Sequence, residues 1–141
     1  KFIAVKEASG DLYQAMQIIK NRPTHLKVLS GEDPLTLAMI ACGGDGVISV
    51  IANAYPKTFS EMVRASLHGH FAQAQQLNEQ LLDLHPPLYK ECNPAGIKAV
   101  MEILGFCSKD VRLPLAPASA ALTEELKALV RRVQEKQGAL H

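Results

Sequence analysis

At 141 residues, 48% apolar and 21% charged, the chain has the composition of a globular domain with a real core, which excludes disorder. A formal net charge of +1, no lysine-arginine cluster and only 5% aromatic residues exclude a polyanion-binding surface, so no nucleic-acid partner is expected. Charges, prolines or glycines interrupt every apolar run short of the ~20 residues that a membrane span needs, so no membrane partner is expected either.

The chain opens on Lys1-Phe2-Ile3-Ala4-Val5-Lys6, too short for a signal segment. Phe2 to Val5 read as a strand, and a chain that starts inside a strand looks cut. Lys6 is an ammonium group ending an apolar strand. In a barrel of parallel strands that end is where active sites are built, and a lysine there can sit in a low-dielectric pocket and become a nucleophilic amine. Glu7 points to the other side of the strand and is read as structural. Leu12, Ala15, Met16 and Ile19 then follow the spacing of one helical face, with Ser9 or Asp11 as N-cap and Arg22-Pro23 as the stop.

Lys27 to Ser30 form the second expected strand, followed by Gly31-Glu32-Asp33 at the same rim. Gly31 keeps a pocket open by lacking a side chain, and Glu32 and Asp33 are read as acids stabilised at a helix N-terminus. Pro34 opens a helix through Leu37, Ala38 and Ala41, closed by Gly43. Cys42-Gly43-Gly44-Asp45-Gly46 follows a helix and opens a strand, the reverse of a phosphate loop, so it reads as a tight turn. The third expected strand is Gly46 to Val50; its end would bring the backbone near Ile48 to the rim of Lys6.

After Val50 the chain reads as helical. Thr58-Phe59-Ser60-Glu61 has the form of a capping box. Phe71, Ala74, Leu77, Leu81 and Leu84 mark a long helix ended by Pro86-Pro87. Asn93-Pro94 open a helix carrying Ile97, Val100, Met101 and Leu104, stopped by Gly105. Leu113 to Pro117 connect to a last helix with Leu122, Leu126, Leu129, Val130 and Val133 on one side; Glu124 and Glu125 lie toward its start and Arg131, Arg132 and Lys136 toward its end. His68 and His70 do not share a helical face, so no metal site is expected. Cys42, Cys92 and Cys107 suit neither a disulfide framework nor a zinc site, and a reducing cytoplasm fits them. Serine- and cysteine-hydrolase patterns are lacking. Three parallel strands with helices do not close a barrel and leave a sheet edge open, so a missing half is expected.

The segments Ile3-Ala4-Val5-Lys6-Glu7-Ala8-Ser9-Gly10-Asp11, Leu29-Ser30-Gly31-Glu32-Asp33 and Gly43-Gly44-Asp45-Gly46-Val47-Ile48-Ser49-Val50-Ile51-Ala52-Asn53 closely resemble the dihydrodipicolinate synthases. These belong with N-acetylneuraminate lyase to the pyruvate-dependent class I aldolases. Leu84-His85, Glu91-Cys92-Asn93-Pro94 and Leu113 to Pro117 also look like that family. The resemblance implies an α/β fold: the last three strands of a (β/α)8 TIM barrel in residues 1–68, then a helical C-terminal domain in 69–141.

It further implies that Lys6 forms a Schiff base with pyruvate, with no cofactor. The resulting enamine adds to aspartate semialdehyde, and cyclisation gives 4-hydroxy-tetrahydrodipicolinate in lysine and diaminopimelate biosynthesis. Ile48 then binds pyruvate through its main chain, and Gly31 borders the substrate. The family's threonine pair, proton-relay tyrosine and pocket-mouth arginine belong to the N-terminal half of the barrel, which this chain would need as a partner. Tyr13, Tyr55 and Tyr89 do not match the tyrosine motif, so the isolated chain is expected to be inactive. A homotetramer is also implied. Rival readings are a sister aldolase, such as N-acetylneuraminate lyase or a keto-deoxy-sugar acid aldolase, and a non-catalytic assembly or regulatory fragment.

Overall fold

In the computed structural model, which describes residues 1–138, the first half of the chain alternates strands and helices. Strand β1 (Ala4–Glu7) leads to α1 (Leu12–Asn21), β2 (Lys27–Ser30), a 3-10 turn (Asp33–Leu35), α2 (Thr36–Ala41) and β3 (Gly46–Val47). A second 3-10 turn (Ile51–Asn53) and α3 (Pro56–Leu67) follow. The sheet is parallel in the order β1-β2-β3. Lys6 pairs with Leu29 and Leu29 with Gly46; one row further, Glu7 pairs with Ser30 and Ser30 with Val47. The three strands therefore end level with one another.

Alternation of side chains decides what each face of this sheet does. Val28 is buried with Ala15 of α1 and Met39 of α2, and Val5, Leu12, Ile18 and Ile19 pack around them. Glu7, two residues beyond Val5, is turned to the same side, where Gln14 of α1 bonds it. Lys6 and Leu29, one residue out of phase, face away from the helices.

Asp11 caps α1 by accepting from the Tyr13 and Gln14 amides, while Ser9 instead accepts from the Asp11 amide. Helix α2 ends in a Schellman motif: the Gly43 amide donates to Ile40 and the Gly44 amide to Met39. Gly43 adopts φ +99°, a conformation costly for any residue with a Cβ. Gly69 closes α3, and Gly105 closes the helix over Ala95–Ile103, by the same pair of bonds.

Several expected boundaries are displaced, each for a local reason. Strand β1 lies two residues later than expected, although Ile3 still accepts from the Lys27 amide. Strand β3 stops at Val47; the Ile48 amide still bonds the Ser30 carbonyl, while the Val50 amide leaves the ladder for Asp33. Helix α3 starts at Pro56 with Tyr55 at its cap, so Thr58 lies inside the helix and forms no capping box. Helix α4 (Phe71–Leu81) tightens into a 3-10 turn at Leu82–Leu84, and Pro86-Pro87 do not end it but sit in the first turn of α5 (His85–Tyr89). Prolines fit there because the first helical amides have no internal partner. Pro94, not Asn93, is the cap residue of α6 (Ala95–Ile103).

Two compact units result, Lys1–Asn78 and a second from Glu79 onward. In the second, Leu84, Leu88, Ile97, Val100, Leu122, Leu126 and Val130 are buried. Helix α7 (Ala120–Gly138) is capped by Ser119, whose Oγ accepts from the Leu122 amide at 3.1 Å and is itself held by Glu91 at 2.6 Å. Helices α5 and α6 approach so closely that a Cβ on Gly96 would lie 2.2 Å from the Leu88 carbonyl oxygen. Gly96→Ala should therefore cost about 1–3 kcal/mol of stability. A thermal melt unchanged from the parent protein would show that the two helices have room to separate.

At the N-terminal ends of the strands, Asp45 joins the turn before β3 to β2. Its carboxylate accepts from the Val28 amide at 2.9 Å and from Lys27 Nζ at 3.0 Å, and pairs with Arg22. Burial opposes ionisation of Asp45, but the bonds from Val28, Lys27 and Arg22 outweigh it and hold its carboxyl below the ordinary value of 3.8. A carboxyl depressed on folding stabilises the fold above its unfolded titration, and this contribution is lost as pH falls through the folded one. Asp45→Asn should be about 1–3 kcal/mol less stable at neutral pH and should lose less stability than the parent as pH falls below ~4. Urea unfolding across that range gives the measurement; parallel acid slopes in the two proteins would refute the assignment.

Candidate active site

The level strand ends place Lys6, Gly31 and Ile48 along one rim. Gly31 continues β2, its amide donating to the Glu7 carbonyl at 2.6 Å. Ile48 continues β3, its amide donating to the Ser30 carbonyl at 2.9 Å. Gly31 thus lies between the ends of β1 and β3.

The side chain of Lys6 crosses directly over Gly31. A Cβ built there would lie 2.8 Å from Lys6 Cε and 2.4 Å from Ala8 Cβ. Both are closer than side chains tolerate, so the absent side chain is the space in which the lysine lies. The sequence had suggested open pocket space at Gly31; the structure fills part of it with Lys6.

Glu7 is almost fully buried and accepts from the Ser9 amide at 2.9 Å and from Gln14 Nε2 at 3.2 Å. Burial raises its carboxyl, but these bonds prevail and hold it below the ordinary value of 4.5. It is an anion that orders the loop from β1 into α1 and faces away from Lys6, as its position in the strand predicts.

One expectation changes. The low-dielectric pocket around Lys6 is not built by the described residues, since Lys6 is exposed. The Ile48 amide is already engaged by the Ser30 carbonyl, which leaves the Ile48 carbonyl as the main-chain group for any further contact at this position. Tyr55 is no proton relay at neutral pH: its hydroxyl is buried without a hydrogen-bond partner among the described residues, and burial pushes its pKa up to about 12.

Asp33 lies in the first turn of the 3-10 segment, as expected of a helix N-terminal acid, but its carboxylate also has a role that sequence reasoning missed. Oδ2 accepts from the Val50 and Ile51 amides at 3.0 and 2.7 Å, capping the turn that follows β3. No local pattern announces a bond across 17 or 18 positions. Among the described residues no group of three or more histidine, cysteine or acidic side chains is arranged to hold a metal.

The family model described as the dihydrodipicolinate synthetase family matches residues 1–133. The chain belongs to that family. Among the dihydrodipicolinate synthases, the 4-hydroxy-tetrahydrodipicolinate synthase of Cytophaga hutchinsonii is 46% identical over 123 residues, covering 87% of this chain and 41% of that protein. That of Thermomicrobium roseum is 47% identical over 126 residues, covering 89% and 42%. The dihydrodipicolinate synthase structure from Aquifex aeolicus superposes with a TM-score of 0.89 at 36% identity, over 94% of this chain and 45% of that one. The 4-hydroxy-tetrahydrodipicolinate synthase of Methylacidiphilum fumariolicum SolV gives 0.91 at 35%, over 98% and 46%. The chain spans under half the length of these relatives and corresponds to the C-terminal part of the dihydrodipicolinate synthase fold.

Gly31→Ala should lower stability by about 1–3 kcal/mol by overpacking the rim. Adding Ala8→Gly removes the shorter contact and should recover part of the loss. Thermal melts of the single and double variants test this; a double variant no better than Gly31→Ala would show that the obstruction is not at Ala8.

Proposed function

We propose that this chain carries the nucleophile of a 4-hydroxy-tetrahydrodipicolinate synthase. The observation that carries the reading is Lys6 itself, a lysine within the family-matched residues, one row before the end of β1, facing away from the helices and laid over Gly31. Nζ attacks the keto carbon of pyruvate and water leaves, forming an iminium that draws electrons from the adjacent methyl group. Loss of a methyl proton gives an enamine, whose carbon adds to the aldehyde of aspartate semialdehyde. Cyclisation through the semialdehyde's amine then releases Lys6. No cofactor enters these steps.

Because Lys6 is exposed in this chain, the amine acquires its shielded setting only when further barrel strands cover that face of the sheet. The greater length of the relatives supports this reading. The isolated chain is then inactive, and the working unit is a completed barrel in a homo-oligomer, a tetramer by family resemblance. Three free cysteines, two of them exposed, support a reducing cytoplasmic setting.

Borohydride reduction in the presence of labelled pyruvate, with the barrel completed by its N-terminal half, should label Lys6 and leave Lys6→Ala unlabelled. Equal labelling of the two proteins would sink the mechanism. Turnover with aspartate semialdehyde rather than N-acetylmannosamine separates this enzyme from a sister aldolase.

A further inference from the structure

The loop after β3 holds the backbone at Ile48, and the sheet holds that loop through the Ile48 amide. Pairing of β3 covers only Gly46 and Val47. Beyond it, the Ile48 amide is tied to the Ser30 carbonyl at 2.9 Å, and the Val50 and Ile51 amides to Asp33 Oδ2 at 3.0 and 2.7 Å. Ser49 Oγ accepts from the Ala52 amide at 3.0 Å. The Ile48 carbonyl lies between the two anchors.

Asp33 is 1% exposed, and its second oxygen, Oδ1, is buried without a hydrogen-bond partner among the described residues. Removing a carboxylate from water with one oxygen unmatched is unfavourable to folding. Capping a short 3-10 turn does not require that cost, because a neutral Ser, Thr or Asn caps as well. Two charge-assisted bonds on one oxygen do supply something a neutral cap does not, a tighter hold on the Val50 and Ile51 amides.

We propose that Asp33 is a positioning residue: it fixes the segment after β3 so that the Ile48 carbonyl stays at the rim where Lys6 meets pyruvate. Asp33 acts through the backbone and does not touch the substrate. This rests on the reading of Lys6 and Ile48 as the pyruvate-contacting residues.

The test compares Asp33→Ala and Asp33→Asn in the completed barrel, reading the pyruvate dependence of borohydride trapping at Lys6, thermal melting, and amide exchange at Val50 and Ile51. Asp33→Ala should raise the half-saturating pyruvate concentration at least ~10-fold and expose both amides to exchange, the loss of two charge-assisted bonds. Asp33→Asn, which keeps an acceptor oxygen but loses the charge, should fall between the parent and Asp33→Ala in both readouts, with the half-saturating pyruvate concentration raised ~3-fold and exchange at both amides only partly faster. Unchanged pyruvate dependence in a cooperatively melting Asp33→Ala would overturn the proposal. So would Asp33→Asn with protected amides but the loss expected of Asp33→Ala, since the charge and not the anchoring would then matter. Should Asp33→Ala fail to fold, Asp33→Asn decides alone: freely exchanging amides with parental pyruvate dependence refute it. Failure of the Lys6 reading shows separately, as label retained by Lys6→Ala with Asp33 intact.

Discussion

Everything at the rim depends on the parallel register that ends three strands level. Backbone pairing sets Lys6 beside Leu29 and Glu7 beside Ser30, and the alternation of a pleated strand then divides the two faces. Because the period is two, a slip of one residue would turn Lys6 into the helical layer and bring Glu7 out of it. The register is protected at both ends by carboxylates. Asp45 ties the turn before β3 to the start of β2, and Asp33 ties the turn after β3 to the end of β2. A strand of two residues survives between them because side chains do what a longer ladder would otherwise do.

The same arrangement explains which parts of the fold were legible in the sequence. Helix α1 was readable because its apolar spacing, its Asp11 cap and its stop before Pro23 are local signals that agree. The turns at Gly43 and Gly105 were readable because few residues other than glycine tolerate their backbone. The end of β3 was not: Val47-Ile48-Ser49-Val50-Ile51 looks like a continuous strand, and only a carboxylate 17 residues earlier pulls its amides out of the sheet. Thr58 misled for a related reason, since Pro56 fixes the helix start before the apparent capping box is reached. Likewise Pro86 and Pro87 were recognised as boundary residues but assigned to the wrong side of the boundary, because proline marks a helix start as readily as a helix end.

Lys6 and Gly31 were legible as a pair of positions, while their relation was not. The motif puts a lysine at one strand end and a glycine at the next, and says nothing of one lying across the other. The structure makes the glycine part of the lysine's placement, since any Cβ there would meet Lys6 Cε. The missing shield around the amine is equally beyond local sequence. It is a property of strands that would cover this face, and this chain spans under half the length of its relatives.

In the proposed mechanism Lys6 and the Ile48 carbonyl are held in opposite ways, and that contrast follows from what each must do. A lysine that forms and releases an imine must move through several geometries, so it is fixed at its backbone by strand pairing while its chain end is confined by the absence of a side chain at Gly31. A main-chain carbonyl has no side chain to adjust and is useful only where its backbone is put. Around Ile48 the chain is accordingly tied on both sides, and a buried carboxylate with one unmatched oxygen is kept there although folding alone would favour a neutral cap. Under that mechanism the rim combines a nucleophile fixed only at its backbone with an acceptor fixed by its flanking bonds, and the energetic cost of the second is concentrated in Asp33.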